Sequence, residues 1–252
     1  MTKLFLGDHL IEDVGLVIFD KDGTLMDLYH YWSQMIELRA AMIAGQFGLT
    51  QEQQEELILS MGVDRKEGRI LPQGPVGIKR REDVRDAAVN FMASVGYDNT
   101  TTACDYIFDQ VNEISESSLS TYIRSMRGAR VLLAALSRSG CKVAIATTDR
   151  TRRAEMAIRY MKMDPFVDII VGTDMVKNAK PDPEMIYTIL GHFDLDGDDA
   201  VLVGDSDVDV QMGNNAGLKA SIGVASGLAS RRDLKRYTEY VISDVSVIQV
   251  FS

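Results

Sequence analysis

Asp20 and Asp22 stand two residues apart at the end of the apolar run Leu16-Val17-Ile18-Phe19, and Gly23 follows them. The run reads as a buried strand and the glycine as the turn that ends it. Carboxylates this close repel, and each favours its protonated form unless a cation holds both ionised. Mg²⁺ is the simplest such cation, a hard ion that takes oxygen ligands and keeps several waters. A second acid-rich run, Gly204-Asp205-Ser206-Asp207-Val208-Asp209, follows another apolar stretch. It lacks the downstream Gly and Glu spacing of an EF-hand calcium loop. Lys180 precedes Pro181 and Pro183, which favour the first turn of a helix. A lysine there adds its charge to the exposed N–H groups of the helix start, a combination suited to phosphate. Thr147 closes a further apolar run and, read by itself, is an ordinary helix cap.

An α/β scaffold must carry these residues. Strands are expected over Lys142–Thr147, Val167–Val171, Ala200–Val203, Lys219–Ile222 and Tyr240–Ile242. Helices alternate with them over Ala129–Ser139, Thr151–Met161, the stretch after Pro181 and Ser230–Tyr237. Short apolar strands in that alternation imply a parallel sheet covered on both faces. A different block interrupts the pattern, with helices over Tyr31–Phe47, Gln51–Ser60, Lys79–Ser94 and Thr101–Ile123, a loop over Gly62–Ile78, and no strand. The expected organisation is a Rossmann-like, doubly wound core of residues 1–27 and 127–252 with an all-helical insertion of residues 28–126.

The chain has 252 residues and a formal net charge of −10. That length can bury a substantial core, and the charge argues against nucleic acid or an anionic membrane as partner. A phosphorylated substrate would then rely on local positive charge and a metal. Cys104 and Cys141 lie in no metal or redox spacing, which fits a reducing compartment. Residues 1–14 hold no apolar run long enough for a signal peptide, and nothing approaches a membrane span. A cytoplasmic protein, monomer or homodimer, is expected.

Asp20-Lys21-Asp22-Gly23-Thr24 matches the Asp-x-Asp-Gly-Thr signature, and the chain resembles the haloacid dehalogenase superfamily, most of whose members are phosphatases. Lys180-Pro181-Asp182-Pro183-Glu184 matches that family's Lys-Pro-x-Pro-Glu motif, and Gly204–Asp209 its Gly-Asp-Ser-x-x-Asp motif. Asn215-Ala216-Gly217 and Ile222-Gly223-Val224 are similar to the stretch that follows in phosphoglycolate phosphatase-like members. The resemblance implies a strand order of 5-4-1-2-3, with the first strand central, where doubly wound folds bind ligands. It implies Asp20 as a nucleophile forming an aspartyl-phosphate. Asp22 would protonate the leaving alcohol, later take a proton from water, and offer its backbone carbonyl to the metal. Thr147 would hold a phosphate oxygen with help from Thr148, which stands where relatives often carry Asn. Lys180 would neutralise the phosphate. Asp205 would bind Mg²⁺ directly, with Asp209 orienting it.

The same resemblance makes residues 28–126 a cap over a small-molecule phosphate ester. Tyr29, His30 and Trp32 follow the first turn, and Lys79, Arg80 and Arg81 open a helix after a Gly-rich loop. These are candidate substrate contacts, and a solvated helix end is the competing reading for the basic triplet. The implied activity is a Mg²⁺-dependent phosphatase of a sugar phosphate or phosphoglycolate-like monoester. A phosphomutase of the β-phosphoglucomutase type carries the same motifs and stays open, as does a non-catalytic binding protein on this scaffold.

Overall fold

The computed structural model describes residues 2–71, 73–76, 80–117 and 119–251. The chain divides into two compact units, one of residues 1–27 with 123–252 and one of residues 28–122.

In chain order, the first unit opens with β1 (Thr2–Phe5), β2 (Leu10–Val14) and β3 (Leu16–Phe19). The second unit contains α1 (Leu28–Phe47), α2 (Gln51–Ser60), β4 (Val63–Asp64), β5 (Arg69–Ile70), α3 (Arg81–Ser94), α4 (Thr101–Ser117) and α5 (Leu119–Tyr122). The first unit resumes with α6 (Ala129–Arg138), β6 (Lys142–Ala146), α7 (Thr151–Tyr160), β7 (Ile169–Val171), α8 (Glu184–Phe193) and β8 (Ala200–Gly204). It ends with α9 (Asp207–Asn215), β9 (Ala220–Val224), α10 (Arg231–Leu234), β10 (Val241–Ile242) and β11 (Gln249–Phe251).

Six strands form one parallel sheet in the order β10-β9-β8-β3-β6-β7. β3 is therefore central, between β6 and β8, and the chain reverses direction across the sheet beside it. Its four residues are all buried, as a strand covered on both faces requires. Beneath one face Leu16, Ile18, Ala144, Ala146 and Leu202 join Met185, Ile186 and Ile189 of α8 and Met212 of α9 in a single core. Burying each large aliphatic side chain contributes roughly 1.5–3 kcal/mol.

The register delivers the motifs to one edge. Phe19 lies opposite Ile145 on β6 and Val203 on β8. The residues that follow these three positions thus emerge together at the carboxyl ends of adjacent strands. They include Asp20, Thr147 and Asp205.

Two features depart from the expectation. A small antiparallel ribbon, β4 with β5, forms inside the loop expected over Gly62–Ile78, so the second unit is not wholly helical. Its strands are two residues long, too short to show alternation. β1, β2 and β11 form a separate antiparallel sheet that joins the two ends of the chain. The helix expected over Thr101–Ile123 is described over Thr101–Ser117 and Leu119–Tyr122, labelled α4 and α5, and Ser118 between them lies outside the described residues. Among the described residues, no helix is long and apolar enough to cross a membrane.

Candidate active site

Asp20 begins where β3 ends, its amide donating to the Val203 carbonyl at 2.8 Å. Gly23 then turns the chain with φ +86°, a conformation that costs glycine nothing. A Cβ at Gly23 would lie 2.4 Å from Asp205 Oδ2, so the turn also lets the backbone approach that carboxylate. Asp205 follows β8, and Ser206 caps α9 in a reciprocal capping box with Asp209. The Ser206 amide donates to Asp209 Oδ2 at 3.1 Å, and the Ser206 hydroxyl contacts the same oxygen. The sequence Ser-x-x-Asp thus starts a helix and fixes an acid at once.

Asp20, Asp205 and Asp209 are all buried, and each offers an oxygen within 4.8 Å of the others'. Lys180 Nζ donates to Asp20 Oδ1 at 2.6 Å and to Asp209 Oδ1 at 2.7 Å. Its loop is held from below. Glu184 accepts the amides of Lys177 at 3.1 Å and Asn178 at 2.8 Å, and Asn215 Nδ2 donates to the Pro181 carbonyl at 3.0 Å. Those backbone bonds hold the Glu184 carboxyl below its usual range.

One ammonium does not balance three buried carboxylates. Burial pushes the Asp20 carboxyl up to about 7, with Lys180 pulling the other way and Asp209 and Asp22 adding to the rise. Burial, with Asp20 and Asp209, raises Asp205 well above the carboxylate range. For Lys180, burial opposes the charge, but Asp20 and Asp209 outweigh it and hold the ammonium above the usual lysine range. A hard divalent cation is the group that would let all three acids ionise, and carboxylate oxygens are the donors it takes.

Asp22 is placed differently. Its carboxylate is outside the three-acid cluster, 28% exposed, and 2.6 Å from Lys21 Nζ. Thr147 is fully buried, and its Oγ accepts the Asp149 amide at 3.1 Å. Thr148 beside it is exposed.

The remaining candidates lie in the second unit. Tyr29 and His30 sit in the first turn of α1, both partly buried. The Arg80 side chain is 83% exposed and 3.7 Å from Asp83. Arg81 contacts Asp109 and lies over the Phe108 ring, 5.8 Å from its centroid. Lys79 lies outside the described residues.

Sequence reasoning missed the loop after β9. Leu228 N–H donates to Asp205 Oδ2 at 2.8 Å, and the Ser226 hydroxyl donates to the Gly23 carbonyl at 2.9 Å. A Cβ at Gly227 would lie 1.8 Å from Asp205 Oδ2. The only signal was the Ser-Gly pair, which marks a turn without saying what the turn holds. Lys21 and Asp149 were also missed, since a variable motif position and a loop acid carry no pattern.

The family model of the haloacid dehalogenase-like hydrolases matches residues 17–223. Pyrophosphatase PpaX of Bacillus cereus (strain B4264) is 38% identical over 102 residues, 40% of this chain and 47% of that protein. The same enzyme of Bacillus mycoides is 34% identical over 112 residues, 44% of this chain and 52% of that protein. The chain spans about half the length of these curated relatives. Among solved structures, a predicted phosphoglycolate phosphatase from Haemophilus somnus 129PT superimposes with TM-score 0.68 at 18% identity, covering 94% of this chain and 96% of that one. A HAD family hydrolase from Deinococcus radiodurans R1, with bound phosphate and sodium, gives TM-score 0.68 at 17% identity and covers 93% of each chain. A match over that span, with the parallel sheet and four motifs gathered at its edge, makes the chain a member of the haloacid dehalogenase-like hydrolase family.

Proposed function

We propose that the chain is a Mg²⁺-dependent phosphatase of small phosphate compounds that works through an aspartyl-phosphate on Asp20. The observation that carries this reading is the buried cluster of Asp20, Asp205 and Asp209 around Lys180 at the end of the central strand. Asp20, Asp205, the Asp22 carbonyl and, indirectly, Asp209 would hold the metal. Bound there, Mg²⁺ supplies positive charge that lets a carboxylate approach an anionic phosphate.

The residues divide the remaining work. Asp20 attacks phosphorus, and the bond to the leaving oxygen breaks as the new one forms. Lys180 neutralises phosphate charge while fixing the orientation of Asp20. The Thr147 hydroxyl, accepting from the Asp149 amide, keeps its hydrogen for a phosphate oxygen. Asp22, partly exposed, exchanges a proton with the leaving oxygen and then with the water that releases phosphate. Pyrophosphatase activity in the PpaX relatives supports an anhydride as well as a monoester among the substrates.

Phosphate release from p-nitrophenyl phosphate, sugar phosphates, phosphoglycolate and pyrophosphate, with Mg²⁺ and with chelator, tests the reading. Metal-dependent release from at least one is expected. Phosphate returned to a sugar without release would make the protein a mutase. A folded, Mg²⁺-binding protein inert toward all of them would make it a binding protein.

A further inference from the structure

Lys21 occupies the variable position of the first motif, in the turn just past the end of β3, where an apolar side chain could be buried at no electrostatic cost. Instead a charged side chain lies 3% exposed, with Nζ 2.6 Å from Asp22 Oδ1 and 3.6 Å from Asp149 Oδ2. Arg153 Nε lies 3.4 Å from that same Asp149 oxygen. A buried ammonium persists only when it is paired, so Lys21 is committed to these two acids. The site therefore keeps two separate cations for two separate jobs. Lys180 serves Asp20 and Asp209, and Lys21 serves Asp22, the acid that faces solvent.

On the phosphatase reading above, Asp22 becomes a carboxylate once its proton has gone to the leaving oxygen, and it would then repel any leaving group that itself carries negative charge. Paired with Lys21, it presents no net charge. We propose that Lys21 is a specificity-determining residue that adapts this site to substrates with an anionic leaving group, either a second phosphate or a carboxylate-bearing alcohol. Lys21 acts through Asp22 rather than by touching substrate, since its own side chain is enclosed. Its effect is a fixed charge 2.6 Å from the Asp22 carboxylate, in a partly buried setting where such a charge is felt strongly. Asp149 and Arg153 trim that charge from behind.

The test compares kcat/KM, in Mg²⁺, for pyrophosphate, a carboxylate-bearing alkyl phosphate and a neutral-alcohol phosphate. Lys21→Met is expected to lower the anionic-to-neutral ratio by about tenfold, the size of a single pK unit. Lys21→Arg should restore the ratio, and Asp149→Asn, which frees more of the lysine's charge for Asp22, should raise it. The two anionic substrates separate a second phosphate from a carboxylate as the preferred group. Equal losses on all three substrates would reduce Lys21 to packing and overturn the inference alone. If Lys21→Met does not fold, an Asp149→Asn ratio that fails to rise overturns it. Wild-type protein that turns over none of the three overturns the phosphatase reading itself.

Discussion

Asp20 carries a heavy electrostatic load, because burial and two neighbouring acids oppose its charge and a single lysine supports it. Without metal, its folded carboxyl keeps a proton that the unfolded chain gives up between its ordinary value of 3.8 and about 7. The folded state then binds more protons than the unfolded state, so stability is present below that window and is lost as pH rises through it. In chelator, the melting temperature of wild type relative to Asp20→Asn should fall between about pH 4 and pH 7. Added Mg²⁺ should restore wild type more than the variant. A difference that stays flat with pH would show that Asp20 is not a buried, strained acid.

At the scale of elements, the loop after β9 closes over Asp205 as a wall of backbone. Gly227→Ala would drive a methyl into a carboxylate already fixed by the Leu228 amide. The Asp205 side chain must move, and the sheet beneath need not. Mg²⁺ affinity measured by calorimetry should drop at least tenfold, on the order of 1.4 kcal/mol, while the melting temperature changes little. Unchanged Mg²⁺ affinity would remove Asp205 from the metal site. In the second unit, α1 and α4 share a buried arginine. The Arg39 guanidinium lies 4.3 Å from the Phe108 centroid and donates to Asn112 Oδ1 at 3.1 Å, and among the described residues no carboxylate pairs with it. Burial, opposed by Tyr31 and aided by Arg81, lowers its pKa to about 10. Asn112→Ala should cost about 1–3 kcal/mol in chemical denaturation by stranding that cation, whereas Arg39→Met should be neutral or stabilising. A destabilising Arg39→Met with a silent Asn112→Ala would reverse this account.

These elements also show what could be read without coordinates. The central strand was legible because four consecutive apolar residues followed by Asp-x-Asp-Gly-Thr admit few other structures, and the four motifs fall on strand ends and helix starts. Lys21, Asp149 and Gly227 were not legible, because their importance is spatial. Lys21 bridges two loops that are more than a hundred residues apart in sequence, and Gly227 matters only through the carboxylate it nearly touches. The β1–β2–β11 sheet was hidden for a similar reason, since its third strand comes from the far end of the chain.

For the molecule as a whole, a parallel sheet with β3 at its centre brings distant motifs to one edge, and the second unit is inserted directly after the first of them. The proposed function rests on one central claim: that Asp20 is the nucleophile of a metal-dependent phosphatase. The most direct test is Mg²⁺-dependent phosphate release by wild type and Asp20→Asn on the best substrate, with Mg²⁺ binding and melting measured on both. A folded Asp20→Asn protein whose turnover falls to the uncatalysed background is expected. Metal-dependent turnover surviving in that variant would contradict the claim.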